Sequence, residues 1–212
     1  MANISTIITI GREKGSAGSD IGKKIAQHYG IPYYDKELLE HAAENSGICK
    51  ELFENHDEKP TNSFLYSLVM DTYSFGYSHA GFNEMPLNHK VFLAQFDTIK
   101  KLASEGPCVM IGRCADYALQ DNKNCFSVFI HADQDFRIQR VAGALGMTSK
   151  EARDLVLRTD KSRASYYNYY TDKKWGTAQS YNLCVDSSVL GQDGCAAAII
   201  AAVDYFDAHK QG

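Results

Sequence analysis

The 212-residue chain has no excess of basic charge: 22 Lys and Arg stand against 26 Asp and Glu, a formal net charge of −4 at pH 7 with a pI near 6.0. That removes the general electrostatic footprint for nucleic acid or an anionic membrane surface and leaves room only for a local basic pocket. No apolar run approaches the roughly 18 residues of a membrane span, and no basic segment leads into a long apolar one at the N-terminus. The six cysteines, Cys49, Cys108, Cys114, Cys125, Cys184 and Cys195, form no CxxC pair. A chain of this size needs no disulfide framework, so reduced packing thiols are expected. The seven histidines show no HExxH or comparable spacing, which argues against a dedicated transition metal. Repeats, low-complexity tails and interdomain linkers are missing too. What remains is ordinary globular composition, 44% hydrophobic and 23% charged, expected to be a cytoplasmic chain acting on small molecules, with no nucleic-acid or membrane partner.

Short apolar runs alternate with helical patterns, the signature of an α/β fold with βα units winding a parallel sheet. The candidate strands are Thr6 to Ile10, Pro32 to Tyr34, Cys108 to Ile111, Phe126 to Ile130 and Leu183 to Val185. After the first, Ile21, Ile25 and Tyr29 recur every four residues, so one stripe of a helix from Ser19 to Tyr29 faces the sheet and Gly30 ends it. Residues 36–105 hold no obvious strand and read as a helical insertion. Within it, 60–89 is rich in Ser, Tyr, Phe, Gly and Asn and suits a substrate lid or a homodimer contact. Thr148 with Glu151 forms a capping box that starts a helix. That helix belongs to a lid-like segment, 144–176, charged at first and then aromatic through Tyr166, Tyr167, Tyr169, Tyr170 and Trp175. The aromatics suit base stacking or, as the favoured reading, packing of the lid on the core or a partner subunit.

The segment 7–26, IITIGREKGSAGSDIGKKIA, has the layout of a phosphate-binding P-loop. A complete one reads GxxxxGK followed by Ser or Thr, with amides around the phosphates, Lys on the β and γ phosphates and the hydroxyl on Mg²⁺. Here Gly18 is followed by Ser19 and Asp20, and five positions before Gly18 stands Glu13. Arg12, Glu13, Lys14, Gly15, Ser16, Ala17, Gly18, Ser19 and Asp20 make up the candidate anion site. The plain alternative is a glycine turn between strand and helix, with Ser19 or Asp20 as cap. Asp20 would repel a phosphate about 4 Å away by about 4 kcal/mol at an effective dielectric near 20. Mg²⁺ bridging Asp20 and the phosphates would offset that, and Lys14 or Arg12 would replace the missing ammonium.

Further segments carry a resemblance. The loop and its helix lead to a short strand ending in Asp35; VMIGRCADYAL, residues 109–119, presents Gly112 and Arg113 with Cys114 where an Asp is expected. FSVFIHADQDFRIQRV brings Arg137 and Arg140 onto one side of a helix; Asp160 with Arg163, and Asp186 with Ser187, follow in order. Together these resemble the cytidylate kinase-like family, a branch of the P-loop nucleoside monophosphate kinases, over nearly the whole chain. The resemblance implies one domain spanning 1–212: a three-layer P-loop kinase fold with a five-stranded parallel sheet, the 36–105 insertion helping to bind the monophosphate, and a lid. It implies ATP and Mg²⁺ as cofactors, and phosphoryl transfer to a nucleoside monophosphate, CMP or dCMP. Lys14, Arg158 and Arg163 become the candidate catalytic cations, and Asp35, Arg113, Asp160 and Arg163 the candidate substrate contacts. Asp160 can instead simply pair with Arg163 three residues on, and Cys114 reads as a slot-filling residue rather than a reactive thiol. Two other functions stay open: a regulatory nucleotide-binding protein that lost the lysine, and a kinase of another small acceptor.

Overall fold

A strand that is apolar at nearly every position has to be covered on both faces, and strand β1 (Ile7–Arg12) is covered in this way. Ile8 and Ile10 enter one core cluster while Ile7 enters another on the opposite face. The computed structural model describes residues 4–35 and 87–210. Four more strands complete the sheet: β2 (Tyr33–Tyr34), β3 (Val109–Ile111), β4 (Cys125–His131) and β5 (Leu183–Asp186). All pairings are parallel and the order is β2-β3-β1-β4-β5. All five expected strands form, with ends displaced by one or two residues.

Helix α1 (Gly18–Tyr29) buries Ile21, Ile25 and Tyr29, the stripe expected from their spacing. Gly22 allows this helix to sit close, since a Cβ there would stand 2.8 Å from Ile111 Cδ1. Gly30 ends it in the left-handed conformation at φ 68°. Helix α2 (Leu87–Glu105) covers the other face, placing Ile99, Leu102 and Ala103 against Ile7 and Met110. It is the last part of the expected insertion; residues 36–86, with Cys49 and most of the 60–89 stretch, lie outside the described residues. A four-residue helix, α3 (Ala115–Ala118), follows β3.

Helices α4 (Gln134–Leu145) and α5 (Ser149–Tyr170) form a hairpin closed by Ile138, Val141, Ala152 and Val156. The capping box starts α5 as expected: Thr148 N donates to Glu151 Oε2 at 2.9 Å and Glu151 N to Thr148 Oγ1 at 3.3 Å. The far end of α5 is held by aromatic packing. Tyr166, Tyr167 and Tyr170 are buried, and Tyr170 stacks on Phe92 with ring centroids 3.9 Å apart. Trp175 meets Phe129 edge-on at 5.2 Å. The core-packing reading of the aromatic run therefore describes this structure.

The last helix, α6 (Ser187–His209), breaks its helical path at Gly191 (φ 66°) and has the length and composition of a membrane-crossing helix. Its apolar character comes partly from alanines spread around the helix, and the buried stripe Cys195, Ala196, Ile199 and Val203 faces the sheet and α1. Tyr29 Oη donates to Asp204 Oδ1 at 2.8 Å between the two helices. The thiols behave as packing groups: burial pushes Cys108 and Cys125 each up to about 12.

Candidate active site

In an open parallel sheet, ligands gather beyond the carboxyl ends of the strands where neighbours on the two sides are reached by opposite crossovers. Here that point lies at the end of β1, between β3 and β4. The chain leaves β1 at Arg12 and re-enters helix only at Gly18, through a loop with Gly15 at φ 87° and Ala17 at φ 61°. Gly18 is required by space, because a Cβ there would lie 2.6 Å from Arg12 Cβ.

The start of α1 is bare. Its N-cap is Ala17, which has no side-chain acceptor, so neither Ser19 nor Asp20 serves as cap. The amides of Gly15, Ala17, Gly18, Ser19 and Asp20 have no acceptor among the described residues. Such unpaired amides at the positive end of a helix dipole form a site for an anion. Ser16 is part of the frame: its hydroxyl donates to Glu13 O at 3.0 Å, and its own carbonyl accepts from Ser187 Oγ at 2.8 Å. The matched pair Asp186 and Ser187 is thus structural, Asp186 capping α6 through Ser188 N at 2.8 Å.

Asp35, at the end of β2, is the hub of a hydrogen-bonded cluster. It accepts from Arg113 Nη1 at 2.7 Å, from Ser19 Oγ at 3.0 Å and from Tyr33 Oη at 3.3 Å, with Arg12 Nη2 at 4.0 Å. Burial pushes its carboxyl up, but Arg113 and Arg12 outweigh that and hold it below the ordinary carboxylate value. Arg113 reaches it from a left-handed turn: Gly112, Arg113 and Cys114 have φ of 71°, 52° and 55°. Non-glycine residues in that region carry about 1–3 kcal/mol of strain each, a cost found where a side chain must be aimed. Cys114, 3% exposed, fills the space beneath.

Asp160 does not pair with Arg163, as helical spacing allows. It accepts from Lys14 N at 2.7 Å and from Arg137. Arg137, 7% exposed, also lies 3.2 Å from Glu13 Oε2 and donates to the carbonyls of Ala132 and Lys14 at 3.0 and 3.3 Å. A buried guanidinium needs its donors answered, and that demand overrides the local i,i+3 pairing. Arg137 therefore clamps the loop to the α4–α5 hairpin. Burial pushes the Glu13 carboxyl up, offset in part by Ala132 N–H and Arg137. Asp20, the expected Mg²⁺ ligand, is half exposed and pairs with Arg140. Arg158 is exposed on α5 and lines neither of the spaces described next.

Two spaces meet here. An open cleft of about 670 Å³ runs along the loop, with Lys14, Asp20, Arg140, Val141 and Leu145 among its walls. An inner cavity of about 350 Å³, narrow enough in this state for only ~1–2 waters, lies between the ends of β1 and β3 and the aromatic end of α5. Arg12 and Arg163 line both, and Arg163 Nη1 donates to Arg12 O at 3.3 Å. Of the residues expected from sequence, the loop, Asp35, Arg113 and Arg163 are brought together. Arg137, Arg140, Asp116, Tyr167 and Tyr181 were not among them. The spacing of Arg137 and Arg140 was a partial signal, but spacing cannot tell a buried arginine from a solvated one.

Comparison with known proteins agrees with this geometry. The model of the cytidylate kinase-like family matches residues 7–189. A cytidylate kinase of Methanopyrus kandleri is 23% identical over 213 residues, covering 96% of each chain. Among solved structures, an uncharacterized protein from Eubacterium ventriosum superposes with a TM-score of 0.69 at 30% identity, covering 94% of this chain and 98% of that one. A shikimate kinase from Bacteroides thetaiotaomicron shares the fold at a TM-score of 0.53 and 13% identity, with coverage of 94% and 98%.

Proposed function

From a chain that belongs to the cytidylate kinase-like family, we propose a phosphotransferase that moves the γ-phosphoryl group of ATP to a nucleoside monophosphate, CMP or dCMP. The observation that carries this reading is the position of Arg12 and Arg163 on the walls of both spaces. A phosphoryl group passing from cleft to cavity would travel between them, and such transfer depends mainly on positioning and charge neutralisation.

The residues present fit a nucleotide. The uncapped amides of Gly15, Ala17, Gly18, Ser19 and Asp20 would donate to phosphate oxygens, Val141 and Leu145 offer an apolar wall, and Asp20 offers one hard carboxylate oxygen. Mg²⁺ commonly binds through one or two carboxylates together with substrate phosphates, and it would neutralise phosphate charge in the cleft. Asp35 fixes Arg113 at the acceptor side, where a planar guanidinium can grip two oxygens of an anionic group. Arg137 and Asp160 hold the loop against the lid. Arg163, with Arg12 and Lys14 nearby, is the cation best placed to replace the missing lysine. We read the enzyme as cytoplasmic.

A coupled assay with ATP, Mg²⁺ and a panel of monophosphates checks this: turnover with CMP or dCMP is expected, and none above background at high enzyme would sink it. One observation favours a second reading, nucleotide binding without transfer: the loop has Ser19 in the lysine position, with its hydroxyl committed to Asp35. That reading expects a higher melting temperature in millimolar ATP with no turnover.

A further inference from the structure

Ser19 is the second residue of α1 and stands where a complete phosphate loop carries its lysine. It lines the open cleft, but its hydroxyl donates to Asp35 Oδ2 at 3.0 Å, and Asp35 lines neither of the two spaces. The other carboxylate oxygen, Oδ1, accepts from Arg113 Nη1 at 2.7 Å, and Arg113 lines the inner cavity. A hydrogen-bonded chain from Ser19 through Asp35 to Arg113 therefore links a wall of the cleft to a wall of the cavity. It also settles a competition, because two guanidinium groups face Oδ1: Arg113 at 2.7 Å and Arg12 at 4.0 Å. Donors on one oxygen of a carboxylate fix where the other is aimed. Here Oδ2 is held by Ser19 and, at a longer 3.3 Å, by Tyr33 Oη. Arg113 Nη1 is shared between Oδ1 and the carbonyl of Ile111 at 2.9 Å, so a carboxylate turned toward Arg12 gives up the charged contact of the two.

We propose that Ser19 is a positioning residue for the phosphoryl acceptor: its hydroxyl turns Asp35 toward Arg113 and so aims the guanidinium that grips the acceptor's anionic group. The side chain in the lysine position thus serves the acceptor, while the loop amides serve the phosphates of ATP. A guanidinium grips two oxygens only when its plane is held in place, and a small rotation loses one of them. A lysine at this position would take the hydroxyl away from Asp35. Restoring the ordinary phosphate loop is therefore expected to weaken the acceptor site. This rests on the nucleoside monophosphate reading above and gives the altered lysine position a role in it.

The test is calorimetric binding of CMP and of ATP with Mg²⁺, each alone, to the full chain, at a temperature where melting curves show every variant folded. Ser19→Ala keeps the amide and removes only the hydroxyl. It should weaken CMP about tenfold, the scale of one hydrogen bond to a charged group, and ATP by no more than about twofold, since the loop amides remain. Ser19→Thr keeps a hydroxyl and should hold CMP affinity within about threefold of wild type. Ser19→Lys should weaken CMP about tenfold or more, whatever it does to ATP. Unchanged CMP affinity in Ser19→Ala overturns the inference. So does an equal loss for CMP and ATP, the mark of a loop that has only lost its shape, and so does a Ser19→Thr variant as weak as Ser19→Ala. If Ser19→Ala does not fold, Ser19→Gly decides by the same comparison. If wild type binds none of CMP, dCMP and UMP, the monophosphate reading itself fails and the inference with it; if it binds one and Ser19→Ala binds it equally well, only the inference fails.

Discussion

Asp35, which holds Arg113, and Asp116, which lines the inner cavity with Arg113, have opposite surroundings. Asp35 is met by Arg113, Arg12, Ser19 and Tyr33, and its carboxyl is held below the ordinary value although burial works against it. Asp116 is more buried; Tyr167 Oη, Lys173 and the backbone amides of Asp116 and Tyr117 only partly offset that burial, which pushes it up. The difference lies in how many cations share the burial. The first arrangement fixes an arginine in place. The second buries a carboxyl beside hydrogen-bond donors but without a close ion pair among the described residues, so burial sets its direction.

The largest effect that would sharpen this contrast comes from Arg113→Met, which strips the main cation from Asp35 and should destabilise by about 3 kcal/mol in urea unfolding. Asp116→Asn keeps a partner for Tyr167 and strands no cation, so it should cost about 1 kcal/mol or less by the same measurement. Equal losses would break the comparison. Next, Arg163→Ala, at the boundary of the two spaces, should lower kcat about 10²- to 10³-fold in the coupled assay while the melting temperature changes little.

The two carboxylates also predict opposite pH responses. Asp35 has a depressed folded value, so its stabilisation is full above the unfolded value near 3.9 and is lost as pH falls through the folded value. Asp116 has a raised folded value, so its term is most favourable below the unfolded value and is lost as pH rises through the window between the two. Melting curves from acid to neutral pH should therefore lose an acid-side decline in Asp35→Asn and a rise-side decline in Asp116→Asn. The smallest expected change is Ala17→Gly, which relieves a left-handed alanine at φ 61° and should stabilise by about 1 kcal/mol in urea. Nucleotide affinity should survive it, since the amides that face the cleft are unchanged.

Much of the scaffold was legible in the chain because its signals are local. The five apolar runs, the Ile21, Ile25 and Tyr29 stripe, Gly30 and the Thr148 box each need only a few neighbouring residues to be read. The site was legible where loop and strand-end residues, Asp35 and Arg113 among them, sit at places the fold type reserves for binding. It was misread where a local pairing rule competed with a distant partner. Asp160 stands one helical turn from Arg163, yet it answers Arg137 and Lys14 N, 23 and 146 residues away in sequence. Arg158 has the same charge as Arg163 and lies on the same helix, but only Arg163 reaches the two spaces.

The sequence by itself determined the alternation of strands and helices, the phosphate loop without its lysine and the residues at the strand ends. Those follow from periodicity, glycine and capping chemistry, which act over a few bonds. Only the tertiary structure decided that β1 lies between β3 and β4, that Arg137 ties Glu13 to Asp160, and that Tyr181 is buried against Phe129 and Tyr167. Burial and charge pairing depend on what is brought together from far along the chain, and local spacing carries no record of that.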